Sequence, residues 1–189
     1  MDIFMLDNQY DSYAPYHQQQ YHDDFQPNGN DSPSIGKNYF QIKLYGKSSA
    51  FQFSACKTKE GRSTVFIESA MRCNPNNPND KTYQWGDKIM FQATFNELPA
   101  LIAVLCGYVP KLKMDNHGGE SRKFLEIEKQ DRNFFFKMGA KDKPLRACPI
   151  TFIDAHQCAL LCLNQYAENF PNLSSNTIVA LVKNLAQRI

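Results

Sequence analysis

Lysine and arginine are absent from the first 36 residues of this 189-residue chain, although 21 of them follow. Six aspartates (Asp2, Asp7, Asp11, Asp23, Asp24, Asp31) leave that stretch at −6, against +8 for the remainder. An acidic arm on a basic body is the charge split that hints at a polyanion partner; a merely soluble body is the alternative. No apolar run reaches the roughly 18 residues of a membrane span. The N-terminus lacks both the basic start of a secretory leader and an Arg-rich transit pattern, so a soluble, cytoplasmic protein is expected.

Metal and disulfide frameworks are also poorly represented. The six cysteines (Cys56, Cys73, Cys106, Cys148, Cys158, Cys162) form no C-x-x-C pair. Four of them fall in apolar strand or helix patterns, as reduced, buried thiols do. Cys158 and Cys162 stand four apart with His156 nearby, too few ligands for a zinc site. No cofactor is expected.

Catalytic arrangements are scarce too. His117 sits in a glycine turn with no nucleophile beside it. Glu126 and Glu128 alternate with Leu125 and Ile127, as on an ordinary solvent face. Gly46-Lys47-Ser48 tempts a phosphate-loop reading, but the Walker pattern needs glycine where Gln41 stands, and a strand follows instead of a helix. The chain does not read as an enzyme.

What is present is a unit written twice: four strands, then a helix. The first copy runs from Tyr39 to Gly107 and the second from about Leu112 to Phe170. Residues 1–37, rich in Gln, Asn, Asp, Tyr and Pro, read as a disordered arm. Ile3-Phe4-Met5-Leu6 is an apolar cluster within it. Phe40, Ile42 and Leu44 alternate with Gln41 and Lys43, the period of a half-buried strand. Strands Ala50 to Lys57, Thr64 to Met71 and Lys88 to Phe95 follow. Asn96 is the expected cap of a helix from Leu98 to Cys106, ended by Gly107. The second copy predicts strands at Leu112–Met114, Phe124–Lys129, Asn133–Met138 and Leu145–Ile150. Thr151 then caps a helix to Phe170, with Asp154 three positions on. A last amphipathic helix spans Ser175 to Arg188 and packs on the body or on a neighbouring subunit.

The second helix carries Ala155, Cys158, Ala159, Leu160, Leu161, Cys162 and Leu163, which leave little polar face. Such a helix must be covered on all sides. The reading is that copies from neighbouring subunits pack there, through Cys158, Leu161 and Cys162; burial between the two sheets of one chain is the alternative.

Aromatics interleaved with bases mark the candidate binding surface. They are Tyr39, Lys43, Tyr45, Lys47, Phe66, Tyr83, Trp85 and Lys88, then Arg122, Lys123, Phe134, Phe136 and Lys137. Single strands of nucleic acid are gripped by base stacking together with a cationic track. In the first hairpin, Lys47 supplies charge, while Gly46, Ser48 and Ser49 permit close approach and hydrogen bonding to a phosphate. A solvated turn is the bland alternative.

Four stretches carry a family resemblance. Tyr45-Gly46-Lys47-Ser48-Ser49-Ala50-Phe51 is similar to the lysine-glycine-lysine-alanine-alanine-leucine motif of the Whirly single-stranded DNA-binding proteins. Tyr83-Gln84-Trp85-Gly86-Asp87-Lys88 resembles that family's approach to the fourth strand. Leu125-Glu126-Ile127-Glu128 with Asn133-Phe134-Phe135, and Cys148-Pro149-Ile150-Thr151 through Phe170-Pro171, match its second sheet and long helix. The resemblance covers about residues 39–171. It implies an α+β fold of two four-stranded antiparallel sheets, each followed by a helix, with a C-terminal helix added. It also implies a homotetramer binding single-stranded DNA with little sequence preference, in replication, repair, recombination or transcription. Tyr45 replaces the motif's first lysine, so Lys43 is the candidate substitute. Related trypanosome proteins bind and anneal RNA, which makes RNA the alternative ligand. An adaptor acting through the acidic arm is a third reading. A bacterial, plasmid or phage relative fits better than an organellar protein.

Overall fold

The computed structural model describes residues 40–189. The arm expected over 1–37, its Ile3-Phe4-Met5-Leu6 cluster and Tyr39 lie outside the described residues. The order is β1 (Gln41–Tyr45), β2 (Ser49–Lys57), β3 (Ser63–Met71), β4 (Ile89–Gln92) and α1 (Leu98–Leu105). The second unit is β5 (Lys111–His117), β6 (Lys123–Lys129), β7 (Phe134–Ala140), β8 (Lys143–Ile150) and α2 (Phe152–Ala167), and α3 (Ser175–Ala186) follows. Each set of four strands forms its own antiparallel meander, in the orders β1-β2-β3-β4 and β5-β6-β7-β8.

Period-two alternation builds both inner faces. In sheet 1, Leu44 lies opposite Phe51, Phe53 opposite Ile67, and Ile67 opposite Phe91, and all are buried. In sheet 2, Leu125 lies opposite Met138 and Ile127 opposite Phe136, again buried. The inner faces meet at Phe136, whose ring stands edge-on to Phe51 at 5.8 Å and 6.1 Å from Phe53. Aromatic pairs favour such offset and edge geometries.

The chain leaves β4 earlier than alternation predicts. Thr94 and Glu97, not Asn96, close the start of α1: the Glu97 carboxylate accepts from the Thr94 amide at 2.8 Å and the Thr94 hydroxyl at 2.7 Å. Phe95 therefore leaves the strand and joins Tyr166 and Phe170, 5.6 and 5.8 Å away, beneath the Arg62 guanidinium. Gly107 ends α1 in the left-handed region at φ +71°, as the sequence suggests.

Helix α1 is buried at Leu98 and from Leu101 to Leu105, and it lies against α2, α3 and sheet 2. Thr151 caps α2 as expected, its hydroxyl accepting from the Asp154 amide at 3.1 Å. The far end of α2 is tied to β3, where the Ser63 amide donates to Asn169 at 2.9 Å. Helix α3 packs on the body of its own chain through Ile178 and Val182.

Subunit contact is not what buries the predicted oligomerisation residues. Ala155, Cys158, Ala159, Leu161 and Cys162 are all buried within one chain, against sheet 1 and α1. Cys158, Leu161 and Cys162 are therefore core residues, and the same burial pushes the Cys158 and Cys162 thiols up. The other face of α2 is open and shows Ile153, 70% exposed, with Phe152 and Leu160. Among the described residues no helix is long and apolar enough to cross a membrane.

Candidate nucleic-acid interface

Strand β1 is one edge of sheet 1, and among the described residues no strand pairs with its free side. Lys43 and Tyr45 point outward and Lys47 stands in the turn, all exposed. The Tyr45 ring lies 5.5 Å from that of Tyr83. Tyr83 donates its hydroxyl to the Gly46 carbonyl at 2.7 Å, and burial raises its phenol. Neither Lys43 nor Lys47 has a carboxylate within ion-pair distance among the described residues. An unpaired ammonium on an open edge is available to an anion.

The rest of the turn also contacts sheet 2, and burial corrects the reading of Ser49 as a phosphate contact. Ser48 donates its hydroxyl to the Ala147 carbonyl at 2.9 Å, and the Ser49 hydroxyl accepts from the Ala147 amide at 3.3 Å. Ser49 is wholly buried. A Cβ at position 46 would lie 2.1 Å from the Cys148 sulfur. Glycine is required there because β8 of sheet 2 crosses the turn. These three residues join the sheets, and Lys47 and Ser48 are the exposed residues of the turn.

Sequence reasoning missed Arg72. Its nearly buried guanidinium donates to the carbonyls of Lys47, Asn77, Pro78 and Asp80, at 2.6–3.3 Å. It therefore holds the Asn-Pro loop against the β1–β2 turn. Within that loop Asp80 accepts from Thr82 and Asn74, which holds its carboxyl down to about 2.

On the outer face of sheet 1, Phe66 is half-buried opposite Ser54 and Gln92. Lys88 is paired to Glu68 at 2.8 Å, and Glu68 also accepts from Gln52. Trp85 is half-buried in the short turn Trp85–Asp87. Asp87 then crosses to sheet 2, meeting Lys143 at 2.7 Å and the fully buried Arg146 at 3.1 Å. Lys143 foremost holds the Asp87 carboxyl below its usual range.

Sheet 2 departs most from expectation. Phe134 and Phe136 point inward and are buried, at 3% and 0% exposure, so they belong to the core and not to the outer face. Lys123 is half-buried opposite His117, on the core-facing parity of Leu125. Lys137 does face outward, bound to Glu126 at 2.8 Å. The outward aromatics are Phe124 and Phe135. Phe124 was legible, because Leu125 and Ile127 inward put Phe124 outward. Phe135 was not, because three consecutive phenylalanines carry no parity of their own. His117 sits within 2.7 Å of Glu97 and stacks on Phe91, with ring centroids 4.0 Å apart, so its role is to tie β5 to the cap of α1.

No protein-family model matches the chain, and no curated protein sequence does. Solved structures do. The plant transcriptional regulator PBF-2 superposes with a TM-score of 0.52 at 17% identity, over 72% of this chain and 91% of that one. The chain has a Whirly-like fold. The trypanosome MRP1/MRP2 structure aligns at a TM-score of 0.48 and 14% identity, over 70% of this chain and 95% of that one. In the Whirly-like frame, the β1–β2 turn is where the two sheets of one chain meet.

Proposed function

We propose that this chain binds single-stranded nucleic acid, DNA foremost, with little sequence preference and without catalysis. The observation that carries this is the β1 edge, where Lys43 and Lys47 have no ion-pair partner among the described residues and flank Tyr45, which lies against Tyr83. Unpaired ammonium groups take phosphates, and adjacent aromatic rings take bases. PBF-2, which shares the fold, is a transcriptional regulator. Replication, repair, recombination and transcription are the settings for such a protein.

The binding unit is residues 38–189, and residues 1–37 are an acidic arm that recruits a protein partner. The working form is a homotetramer assembled through the open side of α2. Phe152, Ile153 and Leu160 support this, being large apolar groups exposed on one helix.

Fluorescence anisotropy with an oligothymidine, at protein of known solution mass, tests the reading. Binding should weaken as salt rises, by a slope of about 0.7 per phosphate neutralised on a single strand. Lys47→Ala should weaken binding to every sequence alike and lower that slope by about 0.7. No salt-sensitive binding at micromolar protein would end the proposal. A matched RNA in competition decides between the two ligands.

A further inference from the structure

The outer face of sheet 2 is built differently from the β1 edge. Across β5 to β7 it shows three lysines, Lys111, Lys113 and Lys137, and every one is ion-paired. Glu126 lies 2.8 Å from Lys137 and 3.2 Å from Lys111, Glu128 lies 3.5 Å from Lys111, and Asp115 lies 3.4 Å from Lys113. Three carboxylates against three ammonium groups leave this face neutral. The register sets Glu126 between Lys113 and Lys137, and its carboxylate takes Lys137 directly and Lys111 diagonally, while Lys113 turns to Asp115 on its own strand and lies 5.7 Å from the Phe124 ring centre. Opposite charges in cross-strand positions attract, and the Glu126 side chain is only 13% exposed, so water screens it weakly. The paired lysines hold its carboxyl below the usual range, Lys137 foremost.

Apolar groups fill the rest of that face. Phe124 is laid over Gly139: a Cβ at position 139 would lie 2.3 Å from the ring. Phe135 is half-buried two residues before Lys137, whose ammonium sits 5.5 Å from the ring centre. Beyond them β8 turns Leu145 and Pro149 outward, and both are exposed.

We propose that the two outer faces divide recognition. The β1 edge takes phosphates through Lys43 and Lys47, and the outer face of sheet 2 is a neutral stacking surface for bases, built on Phe124 and Phe135. Glu126 is the residue that enforces the division, by holding Lys111 and Lys137 away from the phosphates. This rests on the single-strand reading above and assigns its parts.

Salt dependence separates the two contributions, since only phosphate contacts release counterions. Anisotropy with an oligothymidine is measured from low to moderate salt for the full chain and its variants. Lys43→Met and Lys47→Met should each lower the slope by about 0.7, whereas Lys111→Met and Lys137→Met leave it unchanged. Phe124→Leu and Phe135→Leu should weaken binding roughly five- to hundredfold at every salt concentration, with the slope unchanged. Glu126→Gln should tighten binding and steepen the slope by about 0.7, as Lys137 becomes available while Lys111 keeps Glu128.

A strand of abasic sites on the same backbone guards against variants that fold poorly. The wild-type chain should bind it with the wild-type slope but more weakly, and Phe135→Leu should weaken it no further. The division is overturned if Lys111→Met and Lys137→Met lower the slope as Lys43→Met does. It is overturned equally if the abasic strand binds the wild-type chain as tightly as the oligothymidine, or if Glu126→Gln changes nothing. Absence of salt-sensitive binding by the wild-type chain is a separate result, which removes the binding proposal itself.

Discussion

Replacing Gly46 by alanine tests whether the β1–β2 turn is first a joint or first a ligand site. The added Cβ would lie 2.1 Å from the Cys148 sulfur and 3.0 Å from the Ser49 carbonyl oxygen. The first distance falls about 1.4 Å short of ordinary van der Waals contact. Cys148 cannot swing aside, because it is wholly buried in β8 opposite Phe136. Gly46 is not in the left-handed region, so backbone strain adds nothing. Overpacking of this kind costs about 1–3 kcal/mol, offset by about 0.4–1 kcal/mol from a less flexible unfolded chain. Gly46→Ala should therefore lose about 1–2 kcal/mol. Cys148→Ala alone should lose about 1 kcal/mol for one buried group of that size. Because it also removes the clashing sulfur, the double variant should be more stable than the two losses added predict, by about 1 kcal/mol or more. Urea unfolding of the four proteins measures this, with oligothymidine affinity recorded on each. If Gly46→Ala keeps wild-type stability yet binds weakly, the glycine serves phosphate approach and the packing argument is refuted.

Two further outcomes follow from the loop between β3 and β4. Arg72→Met should cost about 2–3 kcal/mol, since four carbonyls lose a charged donor, and proteolysis should then cut first within residues 74–80. A loop that resists protease as well as the wild type would show that Arg72 does not hold it. Asp80 is held down to about 2 by Thr82 and Asn74, against an ordinary 3.8. A depressed carboxyl stabilises above its unfolded value and loses that contribution as pH falls through the folded one. The loop should stay closed at pH 4 and loosen toward pH 2; a carboxyl resonance of Asp80 titrating near 4 would contradict this.

Alternation and capping were readable because they are local. Leu125 and Ile127 inward, Thr151 as the cap of α2 and Gly107 as the end of α1 each follow from a few neighbouring residues. The α1 cap was misplaced by a narrow margin: Asn96 is a good capping residue, but the Thr94 and Glu97 pair closes two donors and takes the position. The long helix reads from its sequence as apolar almost all round. Half of it is covered within its own chain, and only Phe152, Ile153 and Leu160 remain open among its large apolar groups. Composition around a helix says that cover is needed, not which molecule supplies it.

By itself the sequence determined the doubled four-strand-and-helix plan, the inward rows and the basic turn after β1, since period and turn chemistry are written within about ten residues. Tertiary structure alone decided which groups meet a ligand. Which of Phe134, Phe135 and Phe136 faces out depends on register with β6. Whether a lysine is available depends on carboxylates such as Glu126, eleven residues from Lys137 along the chain. The need for glycine at position 46 depends on Cys148, which reaches the turn only when one sheet closes on the other.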